Sequence, residues 1–287
     1  MSKNIFHIGY HKTATTWFQN KFYPLLKNYK VVNRSRIRDF FYEEKAIEFT
    51  DKNNLIFCDE ELSGNIHNGG YLGLLPEKVC YKISKFKQPH VIIFIRNQYD
   101  IIVSSYLQYI KEGGNYSLKR YLNHKEFDRK NRSSLFSFSH FKYDRLIQKY
   151  IDQIGEDNVY VYLYEDFKKD KDNFISNFIR IHQFDIDKNS ISYSKSNSSY
   201  SYVSLIFARI LNSFTRKNVI YKYYIIHIPY VYEYVRELLR RISILPIRST
   251  AFLDEKMKKK ILYEYSESNK ILIKKYNLDL ERYNYPL

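Results

Sequence analysis

One stretch near the start of the chain constrains the fold more than any other: a short apolar run, a polar loop and the start of a helix. Residues 5–8 are partly apolar and bounded by Gly9, which is typical of a buried strand. Residues 13–22 follow, with the spacing of a helix in which Trp17, Phe18 and Phe22 share one face. The pattern predicts a strand, a loop and a helix in immediate succession.

The loop of this unit contains a glycine, a lysine and three threonines between residues 9 and 16. The backbone N–H groups and the dipole at a helix start attract a phosphate, and Lys12 adds a full positive charge. Alternatively, the threonines only cap the helix. The spacing departs from the Walker A pattern G-x-x-x-x-G-K-[ST], because Ala14 stands five residues after Gly9 and Lys12 lies inside the loop. We favour an anion site.

A group of acids follows a second predicted strand. Residues 54–58 form an apolar run that leads into Asp59, Glu60 and Glu61. Open α/β sheets bind ligands at the carboxyl ends of their strands, so these acids are candidate site residues. Alternatively, they cap the next helix start. The preceding segment, 24–54, is predicted to be helical and polar, with arginines at positions 34, 36 and 38.

The clearest buried strand spans residues 91–95, and Arg96 follows it at once. Asn97 is a predicted N-cap for a helix over residues 100–111. Ser104 lies two turns into that helix. Arg96 and Ser104 together offer a charge and a hydroxyl to a second phosphate. Alternatively, Arg96 pairs with a nearby acid and Ser104 faces solvent.

Later segments extend the alternation of strands and helices. Residues 135–152 and 170–182 are predicted helices, and residues 158–163 are a predicted strand, after which Glu165 is expected to organise local hydrogen bonds. Residues 190–204 are rich in Ser, Tyr and Asn and are predicted to form a loop. Residues 205–247 combine aromatics, isoleucines and arginines. Core helices are the favoured interpretation, and a basic amphipathic surface for a membrane or a lipid-linked acceptor is the alternative.

The formal net charge of +16 indicates an anionic partner: nucleic acid, a membrane surface or a small polyanion. An excess of lysine through compositional bias is the alternative. The basic residues are dispersed and form no nucleic-acid-binding motif, so no nucleic acid partner is predicted. Cys58 and Cys80 form neither a disulfide framework nor a metal-ligand spacing, so no metal site is predicted.

The sequence has two cysteines, no apolar leader and no apolar run of about 18 residues. Together these features predict a cytoplasmic protein. The inner face of a membrane is a second expected location.

The run Lys-Thr-Ala-Thr-Thr-Trp at positions 12–17, preceded by His-Ile-Gly-Tyr-His, resembles the 5′-phosphosulfate loop of the sulfotransferases. Those enzymes transfer a sulfuryl group from 3′-phosphoadenosine 5′-phosphosulfate (PAPS). Arg96 and Ser104, with seven residues between them, are similar to the 3′-phosphate site of that family. The strand before Tyr-Glu-Asp at 164–166 and the segment 268–286 extend the resemblance over nearly the whole chain. The departure is Ala14, where glycine is frequent.

The resemblance implies one sulfotransferase domain over residues 1–287, of the bacterial, carbohydrate-sulfotransferase-like type, with a helical insertion at about 205–250. It implies an α/β three-layer sandwich, like the P-loop NTPases, with a mainly parallel central sheet flanked by helices. PAPS is the expected donor, and its product is 3′-phosphoadenosine 5′-phosphate (PAP). The expected acceptor is a hydroxyl of a carbohydrate or glycolipid.

The resemblance also implies roles for individual residues. Lys12 is expected to stabilise charge on the bridging oxygen, and Glu60 to be the general base, with Glu61, His11 and His67 as alternatives. The expected nucleotide contacts are His11, Lys12, Thr13, Ala14, Thr15, Thr16, Trp17, Arg96, Ser104, Lys195, Asn197 and Ser198.

Two other functions stay open at this point. One is an ATP-dependent kinase of the P-loop type, which the missing Gly-Lys-[ST] disfavours. The other is a non-catalytic basic protein that binds polyanions. The oligomeric state is left open.

Overall fold

A computed structural model describes residues 3–43, 45, 49, 54–70, 73–123, 135–193, 202–215, 234 and 252–287. Its centre is a five-stranded sheet in which every pairing is parallel. The strands are β1 (Asn4–His7), β2 (Lys30–Val31), β3 (Leu55–Cys58), β4 (Pro89–Ile95) and β5 (Val159–Leu163). Their order across the sheet is β2-β3-β1-β4-β5. The predicted α/β class, with a parallel sheet between helices, is confirmed.

β1 lies at the middle of the sheet, where its register is set on both sides. Asn4 pairs with Leu55 of β3 and with Pro89 of β4. The ladder continues beyond β1, since Ile8 N donates to Ile92 O at 3.0 Å and Tyr10 N donates to Phe94 O at 3.1 Å. Because the strands are parallel, the loops that follow β1, β3 and β4 leave from the same edge of the sheet.

Helices cover both faces of the sheet. They are α1 (Thr15–Trp17), α2 (Arg34–Phe41), α3 (Leu74–Ser84), α4 (Gln98–Lys111), α5 (Leu118–Leu122), α6 (Tyr143–Ile154), α7 (Tyr164–Lys169), α8 (Lys171–His182), α9 (Tyr202–Thr215) and α10 (Glu255–Tyr276). None of the helices in the described part is both long enough and apolar enough to cross a membrane.

Alternate residues of the strands pack into two separate cores. Phe6 and Phe57 face the core that α2, α3, α4, α6 and α10 close, and their rings stack with centroids 4.6 Å apart. Ile56 and Phe94 face the other core, which the helix beginning at Thr15 and α8 close. Continuous apolar strands are required when both faces are covered, and each buried large side chain stabilises the fold by roughly 1.5–3 kcal/mol.

The predicted polar helix over residues 24–54 is wrong for its first part. After the 3-10 turn Tyr23–Leu25, residues 30–31 form the edge strand β2, and α2 begins only at Arg34. Lys30 N donates to Asn54 O at 2.8 Å, and Val32 N donates to Ile56 O at 2.9 Å. Asn33 then caps α2 by accepting from Ser35 N. A strand of two residues has no periodicity of its own, so its partner β3 determines it.

Candidate functional site

The loop after β1 turns tightly against β4. A Cβ atom on Gly9 would lie 2.9 Å from His7 Nε2 and 3.2 Å from Phe94 Cβ. Only glycine fits at this position without displacing a neighbour. The close approach places the loop directly over the carboxyl end of β4.

Lys12 and Ala14 hold the loop in a left-handed backbone, with φ of 63° and 69°. Ala14 is the residue before the helix, and its carbonyl accepts from Trp17 N at 2.8 Å and from Phe18 N at 3.2 Å. A residue with a side chain adopts this conformation at a cost of about 1–2 kcal/mol, which a glycine at position 14 would avoid. The loop is therefore strained at two positions, including its lysine.

The helical segment that begins at Thr15 continues to Leu25 and changes from α to π to 3-10 hydrogen bonding. Trp17, Phe18 and Phe22 are all buried, as the predicted shared face requires. The start of this segment lies at the loop, so the backbone N–H groups that precede Trp17 lie at the edge where ligands bind in such sheets, whereas Trp17 N and Phe18 N bond to Ala14 O.

The three threonines of the loop have different environments. The hydroxyl of Thr13 is buried and donates to Tyr10 O, so it holds the turn together. Thr16 is exposed. Thr15 is buried, and its Oγ1 has no hydrogen-bond partner among the described residues. A buried hydroxyl without a partner at a helix start is a position that an anionic ligand satisfies.

Arg96 contacts this loop from the end of β4. Its Nη1 donates to Lys12 O at 3.1 Å, and its guanidinium lies over the ring of Tyr164 with 5.0 Å to the centroid. Its Nη2 lies 4.0 Å from Asp100 Oδ2, so Arg96 also pairs with a nearby acid, as the alternative interpretation of this residue expected. The Nε atom is buried and has no partner in the part of the chain that the structure describes. Arg96 Nε and Thr15 Oγ1 are therefore two buried polar atoms that each fit an acceptor oxygen of a ligand.

Helix α4 presents Ser104 and Gln108 one turn apart, hence on one face. The Oε1 of Gln108 accepts from Lys12 Nζ at 2.9 Å. Ser104 is half-buried on that face. The structure thus brings Lys12, Arg96 and the Ser104 face of α4 together.

The ammonium of Lys12 lies among several charges. Burial of this group lowers the pKa of Lys12, and Lys111 and Arg96 lower it further. Glu112 and Glu60 oppose this decrease. The net direction is downward, so Lys12 gives up its proton more readily than a solvated lysine.

Asp59 caps the short helix Glu60–Ser63 by accepting from Glu61 N at 3.1 Å. It is buried and accepts from Arg34 Nε at 2.9 Å and from Arg38 Nε at 3.0 Å. Burial alone would raise the pKa of Asp59, but the bonds from the two arginines outweigh burial and hold it below its usual value. For Asp59, the alternative interpretation that these acids cap the next helix start is therefore correct.

The two glutamates after Asp59 differ in their contacts. Glu60 Oε1 accepts from Arg34 Nη2 at 2.7 Å, and its Oε2 accepts from Gln19 Nε2 at 3.5 Å. Glu61 Oε1 lies 3.8 Å from His11 Nε2. Burial, together with the charges of Asp59 and Glu60, raises the pKa of Glu61 to about 7. Glu60 is held by an arginine, and Glu61 is poised to exchange a proton near neutral pH.

The two candidate histidines are both engaged. His11 Nε2 donates to Gly64 O at 3.1 Å, and burial lowers the pKa of His11 to about 4. It is therefore neutral at pH 7. His67 contacts Tyr121 through Nδ1 at 2.8 Å and Glu112 through Nε2 at 3.0 Å.

Trp17 connects the helix start to the predicted late loop. Its Nε1 donates to Ser192 O at 2.9 Å, and its ring stacks on Tyr193 with centroids 5.8 Å apart. The chain therefore enters this predicted late loop beside the loop after β1. The candidates Lys195, Asn197 and Ser198 lie outside the described residues.

Glu165 organises the surroundings of Arg96, as predicted. Its Oε1 accepts from Asn97 N and its Oε2 accepts from the hydroxyl of Tyr285, both at 2.9 Å. The side chain of Asn97 also donates to Tyr283 O at 2.8 Å and to Asn284 O at 2.9 Å. The N-cap prediction for Asn97 is confirmed by its bond from Tyr99 N. Sequence reasoning missed the contacts to residues 283–285, because no local pattern indicates them.

No protein-family profile matches the chain, and no curated protein matches it. Solved structures with a similar backbone include a sulfotransferase from Alicyclobacillus acidocaldarius, 14% identical with a TM-score of 0.48 over 68% of this chain and 87% of that one. They also include mouse sulfotransferase SULT7A1 complexed with PAP, 14% identical with a TM-score of 0.48 over 98% of this chain and 87% of that one. Similarity at this level assigns neither a family nor a reaction to the chain.

Proposed function

We propose that this protein transfers a sulfuryl group from PAPS to a hydroxyl of a carbohydrate or glycolipid. The observation that carries the proposal is the contact between Arg96 Nη1 and Lys12 O at 3.1 Å. This contact joins the loop after β1 to the end of β4. Ser104 lies on α4 one turn before Gln108, the residue that accepts from Lys12. Two adjacent anion-binding elements suit a nucleotide that has a 5′-phosphosulfate and a 3′-phosphate.

PAPS, when bound, supplies the sulfuryl group and a PAP leaving group. In this proposal Thr15 and the helix start hold the phosphosulfate, and Arg96 and Ser104 hold the 3′-phosphate. Lys12 stabilises the charge that develops on the bridging oxygen as its bond to sulfur breaks. Glu60 accepts the proton of the attacking hydroxyl as the new oxygen–sulfur bond forms.

Calorimetric titration with PAP tests the proposal. Wild-type protein is expected to bind PAP, and Arg96→Ala to weaken binding by about 10- to 100-fold, because charge-assisted hydrogen bonds contribute roughly 1.5–3 kcal/mol. Arg180→Ala is the matched control, since Arg180 is exposed on α8, and it should bind PAP normally. Failure of the wild type to bind PAP would end the proposal. Binding of Mg-ATP instead would favour a kinase, and salt-sensitive binding of polyanions without turnover would favour a binding protein.

A peripheral contact with an anionic membrane is proposed as well, and the outward face of α9 supports it. Leu205, Ala208 and Asn212 are buried, and Asn212 Nδ2 donates to Ile110 O and Gly114 O at 2.8 Å. The opposite side exposes four large apolar side chains: Ile206, Phe207, Ile210 and Phe214. Residues 202–250 contain eight arginines and lysines but only two glutamates, so an anionic lipid surface complements this region.

Vesicle co-sedimentation tests the membrane contact. Phe207→Ser/Phe214→Ser is expected to reduce binding to phosphatidylglycerol-containing vesicles about tenfold, because two aromatic anchors are lost. Tyr263→Ser is the control, since Tyr263 is 84% exposed on α10. Equal binding of wild type and double variant would contradict the contact, as would equal binding to neutral vesicles.

A further inference from the structure

An unbroken chain of hydrogen bonds runs from Lys12 through α4 into the protein. Lys12 Nζ donates to Gln108 Oε1 at 2.9 Å, and Gln108 Nε2 donates to Glu112 Oε1 at 2.7 Å. The other carboxylate oxygen of Glu112 contacts His67 Nε2 at 3.0 Å. His67 Nδ1 contacts the hydroxyl of Tyr121 at 2.8 Å, and Tyr121 is fully buried. Five side chains are thereby fixed relative to one another.

Glu112 sets the direction of every bond in this chain. Burial would raise the pKa of Glu112, but the bonds from His67 and Gln108 and the charge of Lys12 hold it below the usual value, so Glu112 is ionised at neutral pH. An ionised carboxylate only accepts hydrogen bonds. The Nε2 group of Gln108 must therefore point to Glu112, which leaves Oε1 to face Lys12. His67 Nε2 must likewise carry a proton and donate.

We propose that Gln108, Glu112 and His67 are positioning residues that hold the ammonium group of Lys12 beside the loop after β1. The inference rests on the function proposed for Lys12, but the contacts themselves do not. With a neutral amide at position 112, only the ammonium of Lys12 itself still orients the Gln108 amide. The bond from Gln108 Nε2 to position 112 is then a weaker bond between neutral groups, so Gln108 is held less firmly in front of Lys12.

Neighbouring charges set the pKa of Lys12, so the arrangement can be followed through the reactivity of the Lys12 amine, without an assay of turnover. Lys111 and Arg96 lower the pKa of Lys12, and Glu112 and Glu60 raise it. Loss of the Glu112 charge removes one of the two carboxylates that raise the pKa of Lys12. The pKa of Lys12 should then fall further, and its amine should become more reactive at a given pH.

The test compares Glu112→Gln with the exchanged pair Gln108→Glu/Glu112→Gln. In the exchanged pair a carboxylate at position 108 accepts from Lys12 directly, and an amide at position 112 donates to that carboxylate and accepts from His67. The hydrogen-bond chain is complete again, with the same composition. Glu77→Gln is the control, because Glu77 is a half-exposed acid on α3 that pairs with Lys149.

Acetic anhydride labelling at pH 8, read by mass spectrometry of the peptide that contains Lys12, is the first measurement. Glu112→Gln should label at least threefold faster than wild type, the exchanged pair more slowly than wild type, and Glu77→Gln at the wild-type rate. Gln108→Met, which removes both the acceptor of Lys12 and the donor to Glu112, should also label faster and serves if Glu112→Gln fails to fold. Unchanged labelling of Lys12 in both single variants would overturn the inference.

The second measurement is the steady-state rate with PAPS and an acceptor hydroxyl. Glu112→Gln should lower kcat about tenfold with the KM for PAPS within threefold of wild type, and the exchanged pair should recover at least a third of wild-type kcat. An exchanged pair no better than Glu112→Gln would overturn positioning, because a purely structural role of Glu112 predicts that result. If wild type shows no transfer while labelling behaves as described, the proposed function fails and the hydrogen-bond chain stands.

Discussion

Lys12→Met is expected to lower the turnover of PAPS by about 10³-fold, while the affinity for PAP changes less than tenfold. A positioned charge that acts on developing negative charge contributes about 2.7–4 kcal/mol to the transition state, and methionine keeps the length of the side chain without that charge. Binding changes less, because Arg96 and the helix start still hold the nucleotide. Single-turnover transfer from labelled PAPS, with PAP calorimetry beside it, measures both quantities.

Lys111→Met is the matched control for this variant. Lys111 lies on α4 close enough to lower the pKa of Lys12, so the control removes the same charge from the same region. Its turnover should stay within about threefold of wild type, because an exposed charge that solvent screens contributes little. If both lysine variants lose turnover equally, the effect belongs to the general basic field, and Lys12 has no special role.

Glu60→Gln is expected to lower kcat by about 10²–10⁴-fold and to leave PAP binding intact, because general base catalysis contributes on this scale. Glutamine keeps an oxygen that can accept from Arg34 Nη2, and Asp59 continues to hold Arg34. The variant should therefore fold normally and lose only the proton acceptor. The kcat of purified protein and its melting temperature are the two measurements.

Glu61→Gln separates the two neighbouring carboxylates. The pKa of Glu61 is raised to about 7, so a base at this position would be protonated below pH 7 and active above it. If Glu61 is the base, wild-type kcat/KM rises with pH through about 7, and Glu61→Gln loses both this rise and the turnover. That outcome, with Glu60→Gln still active, would move the role of base from Glu60 to Glu61.

Local patterns in the sequence predicted most of the sheet and the loop after β1. Residues 91–95 are apolar without interruption, which requires a strand covered on both faces, and β4 is there. Gly9 and the residues after it predicted the tight turn between β1 and the helix at Thr15, since such a turn depends on neighbours within a few residues. The loop's strain at Ala14 follows from the same local geometry.

Contacts between distant segments could not be predicted in this way. The strand of two residues at 30–31 exists only because β3 pairs with it. The spacing of Gln108 and Glu112 suits a helix face, but the sequence does not show that this face meets Lys12. The proton affinity of Glu61 depends on burial and on two acids, which are properties of the folded chain.

The hydrogen bonds from Asn97 to Tyr283 O and Asn284 O determine when the structure around Arg96 can be completed during synthesis of the chain. The bond from Asn97 to Tyr283 O joins residues 186 positions apart. All five strands leave the ribosome long before residue 283, so the sheet can assemble while translation continues. The turn that carries Arg96 gains its bonds to Tyr283 O and Asn284 O only after residue 284 emerges, so this turn reaches its final structure after the sheet.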